Sequence, residues 1–161
     1  MDENYLELVE LSCTDFLLKH KVVVPQLNSL LKEAFNFDKL SVYNIILNYK
    51  TFVFQNKKGY IFGCFNIEEG TKCNTLWNVC IRPKYRGIGL GSKMIKSYKN
   101  ISNKHIKLYV SNKKDHANFH KRILFYRKLG FEIKSYKKIN SEKRVLLTFS
   151  PSIIGLSGGK S

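Results

Sequence analysis

Residues 76–95 (LWNVCIRPKYRGIGLGSKMI) hold the groups best suited to chemistry: a β-rich run, then Arg86-Gly87-Ile88-Gly89-Leu90-Gly91, then a helix-like stretch. Alternate glycines let a backbone turn sharply and come close to a ligand. The first amides of a helix lack partners, and with the helix dipole they form an anion site. Arg82, Lys84, Arg86 and Lys93 add positive charge around it. The chemistry implied is a phosphate or diphosphate held mainly by backbone N–H groups. A bare tight turn explains the glycines but not their setting between strand and helix. A dinucleotide fingerprint fits poorly. Its third glycine falls at Ser92, and Asp115, the nearest acid for a ribose, lies beyond the next strand. Residues 155–161 (GLSGGKS) are similar to a phosphate-binding loop, but have three residues where four are needed and no helix after them.

Other reactive side chains give weaker patterns. Cys13, Cys64, Cys73 and Cys80 form no Cys-x-x-Cys pair, so the usual zinc spacing is missing. Cys64 and Cys80 have strand-like neighbours, and free, reduced, partly buried thiols are expected. His116 and His120 are spaced to share a helical face, but a third ligand is missing and no metal is expected.

The elements that must position these groups follow from periodicity. Residues 5–13 read as a strand. Residues 14–24 give no clear pattern, with Thr14 or Asp15 as candidate caps. Pro25 opens a helix with Leu27, Leu30, Leu31 and Phe35 on one face. Asp38 caps a second, with Leu40, Tyr43 and Ile46 or Leu47 inward. Residues 51–55 and 60–67 make a hairpin around Asn56-Lys57-Lys58-Gly59, and 75–81 make a third strand that Pro83 ends. A helix at 92–98, a strand at 106–110 and a helix at 119–129, stopped by Gly130, come next. Strands at 131–136 and 144–149 join around Asn140-Ser141. Hairpins plus one β–α–β crossover give a mixed sheet of the α/β or α+β kind. Residues 1–150 are read as one domain and 151–161 as a flexible Ser/Gly-rich tail.

The chain resembles the GNAT superfamily of acyl-CoA-dependent N-acetyltransferases. The resemblance rests on Arg86 to Gly91 after Cys80-Ile81-Arg82-Pro83, and on Phe125-Tyr126-Arg127-Lys128-Leu129-Gly130-Phe131 downstream of a strand at 106–110. It implies a mostly antiparallel mixed sheet, flanked by helices, whose central parallel strands splay apart. It implies acetyl-CoA as co-substrate, with its arm on the backbone of Val79, Cys80 and Ile81. The diphosphate would lie on Arg86, Gly87, Ile88, Gly89, Leu90 and Gly91, with Ser92 adding its hydroxyl or amide. A neutral amine would attack the thioester directly, an amide near Ile81 would stabilise the oxyanion, and Tyr126 would protonate the departing thiolate. Asn118 stands one residue from the place of a common CoA-contacting asparagine, which here is Phe119. Asp115 is the candidate base, acting through water, against the ordinary meaning of an Asp at a helix start.

Composition bounds the rest. The chain has 161 residues, 43% hydrophobic and 25% charged, enough to bury a core. Its net charge is +16, and the charge is uneven. Residues 1–80 carry 8 Lys and 9 acids, whereas residues 81–161 carry 20 Lys and Arg and the acids Asp115, Glu132 and Glu142. Such a field attracts anionic partners. An alternative to the enzyme is therefore a basic nucleic-acid- or ribosome-associated module using Lys134, Lys137, Lys138, Lys143 and Arg144 with Tyr136. A recruited acidic partner and a homodimer are compatible with either reading. The N-terminus lacks a basic leader and no apolar run approaches the ~20 residues of a membrane span, so a soluble cytoplasmic protein is expected.

Overall fold

A computed structural model of the chain describes residues 5–113 and 116–151. The elements are β1 (Leu6–Leu11), α1 (Cys13–Leu18), α2 (His20–Phe35), α3 (Lys39–Asn48), β2 (Lys50–Asn56), β3 (Ile61–Glu68), β4 (Cys73–Ile81), a 3-10 turn (Pro83–Tyr85), α4 (Leu90–Ile101), β5 (His105–Ser111), α5 (Phe119–Lys128), β6 (Glu132–Ile139) and β7 (Glu142–Phe149). The seven strands form one sheet in the order β1-β2-β3-β4-β5-β7-β6. β4 and β5 are parallel, and every other neighbouring pair is antiparallel. The expected tail lies outside the described residues, apart from Pro151.

Strand alternation splits the core between the two faces. Phe52 and Phe54 of β2 face one side and Val53 the other. The larger core joins Leu76, Ile81, Leu108, Val110 and Leu147 of the sheet to Met94, Ile95 and Tyr98 of α4 and to Phe119 and Tyr126 of α5. The smaller joins Val53, Cys64 and Cys80 to Val23, Leu27, Leu30 and Leu31 of α2 and Val42 of α3. Helices therefore cover both faces, and removing these apolar surfaces from water is the main force holding the layers together.

The N-terminal helices differ from the sequence expectation. Ser12 caps α1: its hydroxyl accepts the Asp15 N–H at 3.0 Å, and the Asp15 carboxylate takes the Ser12 N–H at 3.3 Å. α2 begins at His20, five residues before Pro25, which sits inside the helix on its exposed side. Proline removes one helical hydrogen bond there. Burial of Val23 and Val24 offsets that loss and carries the helix back through the proline. Gln26 then pins α2 to the β2–β3 hairpin, donating to Gly59 O at 3.1 Å and accepting the Ile61 N–H at 2.8 Å. In α3 the buried residue is Val42, while Leu40 and Leu47 point to solvent. Asp38 caps this helix as expected, accepting the Ser41 N–H at 2.7 Å.

Elsewhere the elements match the reading closely. β4 starts two residues earlier than expected, and α4 starts at Leu90 rather than Ser92. Asn140 and Ser141 both take positive φ, 47° and 67°, as a tight two-residue hairpin requires. All four cysteines are free thiols. Among the described residues, no helix is long and apolar enough to cross a membrane.

Candidate active site

β4 and β5 are paired only at their starts. Their registered partners are Cys73 with His105, Asn74 with Ile106 and Thr75 with Lys107. Beyond these, β4 stays with β3 and β5 stays with β7, so a wedge opens between the two central strands. A bulge in β4 promotes the separation. Asn66 stands opposite Trp77 and Cys64 opposite Cys80, so two β4 residues, Asn78 and Val79, face the single residue Phe65. Asn78 adopts φ 54°, a left-handed conformation that asparagine tolerates better than most residues. A polar chain holds it there. Asn78 Nδ2 donates to Asn66 Oδ1 at 3.1 Å, and Asn66 Nδ2 donates to Thr51 Oγ1 at 3.0 Å. Asn66 and Thr51 are both buried.

Backbone direction decides which β4 groups face the wedge. Arg82 N–H donates to Phe62 O on β3 at 2.8 Å. By strand alternation Cys80 presents its backbone to β3 as well, whereas Ile81, and before it Val79, turn theirs toward the wedge. The Ile81 carbonyl is taken by Arg86 Nε at 2.9 Å. Cys80 thus contributes packing, with its Sγ 3.6 Å from that of Cys64. This sulfur contact, and then burial, push the Cys64 thiol pKa up.

The glycine loop lies directly after β4. Gly87 and Gly89 take φ 79° and 87°, and a Cβ at either would meet nothing within 4 Å. They serve backbone conformation and leave an open concavity. Gly91 differs in facing α5: a Cβ there would lie 3.4 Å from the Phe125 ring, an ordinary van der Waals contact. Lys93 N–H is the first to return into the helix, to Gly89 O at 3.1 Å. The earlier amides of Leu90, Gly91 and Ser92 have no helical acceptor. Among the side chains expected to add charge, Arg82 is turned to Ile61 O at 2.6 Å and Arg86 to Ile81 O, so both also brace the loop.

Tyr126 comes from α5 on the larger-core side of the sheet, is 8% exposed, and makes an edge contact with Phe125 and Phe131. Burial pushes its pKa well above the ordinary tyrosine value, so it holds its proton at neutral pH. Asn118 sits at the exposed start of α5, where its carbonyl accepts the Arg122 N–H at 2.9 Å. Asp115 lies outside the described residues. His116 meets Asn112 at 3.3 Å and His120 packs edge-on to Phe119. The lysines of the β6–β7 hairpin are solvated, with Lys134 paired to Glu132 and Arg144 to Glu142.

Two contributors carry no motif. Asn78 and its partner Asn66 shape the wedge through a cross-strand contact. Asn112, 2% exposed, ties the end of β5 to the last hairpin by accepting the Lys143 N–H at 2.7 Å and donating its own N–H to Lys143 O.

Residues 48–133 match the family model described as an acetyltransferase (GNAT) domain, which is more than half of the chain. The chain belongs to the GNAT acetyltransferase family. No curated protein sequence matches it. Solved structures share the GNAT fold at low identity. A GNAT family acetyltransferase from Elizabethkingia anophelis, with acetyl-CoA bound, superposes with a TM-score of 0.67 at 16% identity, covering 92% of this chain and 99% of that one. The ribosomal-protein-S18-alanine N-acetyltransferase from Escherichia coli gives 0.68 at 18%, covering 92% and 96%. The aminoglycoside 6'-N-acetyltransferase from Enterococcus faecium gives 0.69 at 11%, covering 91% and 97%. The acceptors named for these GNAT proteins differ, so the shared fold does not choose among them.

Proposed function

We propose that this GNAT protein transfers an acetyl group from acetyl-CoA to a primary amine by direct attack in a ternary complex. One observation carries the proposal: the free edge of β4 runs straight into the unpaired amides that open α4. An extended arm with amide groups can complete the edge, and a diphosphate can lie on the amides.

The residues present fit that co-substrate. Val79 and Ile81 offer backbone groups to the arm. The turn of Arg86, Gly87, Ile88 and Gly89 leaves room for phosphate oxygens, and Leu90, Gly91 and Ser92 supply N–H donors. Asn118, at the start of α5, is a further contact in this reading. Acetyl-CoA supplies the activated acyl group as a thioester. Tyr126 holds its proton at Oη, ready for the sulfur that leaves, because burial disfavours its phenolate. The Ile81 N–H, turned into the wedge, is the backbone donor for negative charge developing on the carbonyl oxygen. The four free cysteines favour a reducing compartment as the place of work.

The test offers purified protein acetyl-CoA with and without a panel of amines, and follows release of the CoA thiol. Amine-dependent release together with the acetylated amine by mass spectrometry is expected. Acetyl-CoA that neither raises Tm nor is consumed in the presence of any amine would overturn the reading.

A further inference from the structure

The wedge is sealed on one face and open on the other. On the sealed side Leu76, Leu108 and Val110 lie buried beneath α4 and α5. On the open side stand Trp77 and Tyr109, 37% and 40% exposed. Thr75 and Lys107 are the last registered pair of β4 and β5, and Trp77 and Tyr109 are the next positions on that same face. Their ring centroids are 6.2 Å apart and their planes 30° from parallel, so the two rings present neighbouring faces. The Glu68 carboxylate accepts the indole Nε1–H at 2.8 Å and fixes the Trp77 ring. Tyr109 is the register partner of half-buried Leu146 on β7. An apolar row therefore crosses three strands at the point where the wedge opens.

We propose that Trp77 and Tyr109 form the floor on which the acceptor binds, and that the acceptor is a primary amine bearing a flat aromatic group. This rests on the acetyltransferase reading above. An arm lying along Val79 and Ile81 from the diphosphate loop brings its acyl end toward the bulge at Asn78, beside Trp77. With α4 and α5 closing the other face, an amine reaches that end across the two exposed rings. Offset and tilted stacking suits a flat aromatic group, and fixed rings lose little freedom on binding it. The charges nearby balance and give a polycation no special hold: Lys107 lies in the row before the rings, Glu68 sits on the Trp77 indole, and Arg144 lies beyond them paired with Glu142. The transfer balances without another reactant. The amine nitrogen forms the N–C bond as the C–S bond breaks, and the proton that nitrogen loses matches the one that sulfur gains.

Trp77 is the single tryptophan, so intrinsic fluorescence reports this spot alone. The experiment titrates the protein with phenethylamine, spermidine and kanamycin, and measures CoA release for each at saturating acetyl-CoA. Phenethylamine is expected to change Trp77 emission saturably and to be acetylated with the lowest KM. Trp77→Ala should raise that KM by about 10-fold, with Trp77→Phe restoring much of it, Tyr109→Ala acting in the same direction, and the acetyl-CoA-induced Tm shift unchanged throughout. A lower KM for spermidine or kanamycin, or equal phenethylamine kinetics in Trp77→Ala and wild type, would overturn the proposal. The fluorescence titration needs no acetyl-CoA, so an unresponsive Trp77 overturns the floor on its own. A Tm indifferent to acetyl-CoA would instead strike the acetyltransferase reading.

Discussion

β4 pairs with β5 at residues 73–75, where Thr75 is also paired with Glu68 of β3, and it pairs with β3 alone from 76 to 81. The first stretch is ordinary sheet: Asn74 and Thr75 are buried, and the Asn74 side chain donates to the Tyr98 hydroxyl at 3.2 Å. The second stretch gives up its partner and gains a bulge, an exposed tryptophan and a glycine loop. Leaving backbone groups unpaired in a dry core costs about 1–3 kcal/mol each. Opening the strands toward solvent lowers that cost, and the Thr51–Asn66–Asn78 chain concentrates the distortion in one place. The contrast teaches that the site is made by withholding pairing at a chosen point, with reactive side chains added around it.

The largest effect should come from Tyr126, the residue proposed to protonate the leaving sulfur. Tyr126→Phe keeps the buried ring, so acetyl-CoA binding should persist while turnover falls roughly 10²–10⁴-fold. Steady-state rates with one confirmed amine, beside acetyl-CoA affinity for both proteins, check this. Equal turnover would remove Tyr126 from the mechanism.

Gly89→Val should separate fold from ligand binding. Its φ of 87° strains any side chain, and a β-branched one fills the open concavity. At acetyl-CoA a hundredfold above Kd, wild type should gain about 2.7 kcal/mol. Relative to its own ligand-free Tm, the variant should gain nothing. A normal shift in folded Gly89→Val would place the diphosphate elsewhere.

Asn66→Ala breaks the comparison at its joint. It leaves Thr51 and Asn78 without their partner and should cost about 1–3 kcal/mol in chemical unfolding. Acetyl-CoA affinity should fall beyond what that stability loss explains, because the bulge would relax toward pairing. Unchanged affinity in a folded variant would free the wedge from dependence on this chain.

The smallest effect is on pH. Burial raises the pKa of Tyr126 and, to a lesser degree, of Tyr98. The unfolded chain therefore releases these protons first, and stability should decline as pH rises above about 10. Thermal melts from pH 8 to 11 on wild type and Tyr126→Phe test the sign, with the variant declining less.

The central crossover and glycine loop were legible because local chemistry dictates them: a β-rich run, Pro83, positive-φ glycines and a helix start. The Phe125 to Phe131 run likewise marks α5 and its stop at Gly130, which takes φ 90°. The start of α2 was hidden because Pro25 announces a first turn, while the buried Val23 and Val24 extend the helix behind it. α3 is legible but its inward face only in part: Ile46 packs on the smaller core as expected, whereas Val42 in place of Leu40 decides the phase against β2 and α2. In the site, side chains were easier to foresee than backbone direction. Cys80 shares a motif with Val79 and Ile81, yet alternation turns it to β3. Trp77 and Tyr109 lie thirty-two residues apart, and nothing in either neighbourhood says that their rings meet; that follows from strand register.

Three registered pairs are all that stitch β1–β4 to β5–β7 through the sheet. The mechanical continuity of the molecule therefore runs through the side-chain core beneath α4 and α5, which spans both halves, more than through the ladder. In assembly, β2, β3 and β4 can zip from short loops, whereas the second half must arrive by a long-range closure with little backbone reward. The halves resemble two leaves on a soft spine, and the opening that admits a ligand is also the line along which the sheet is weakest.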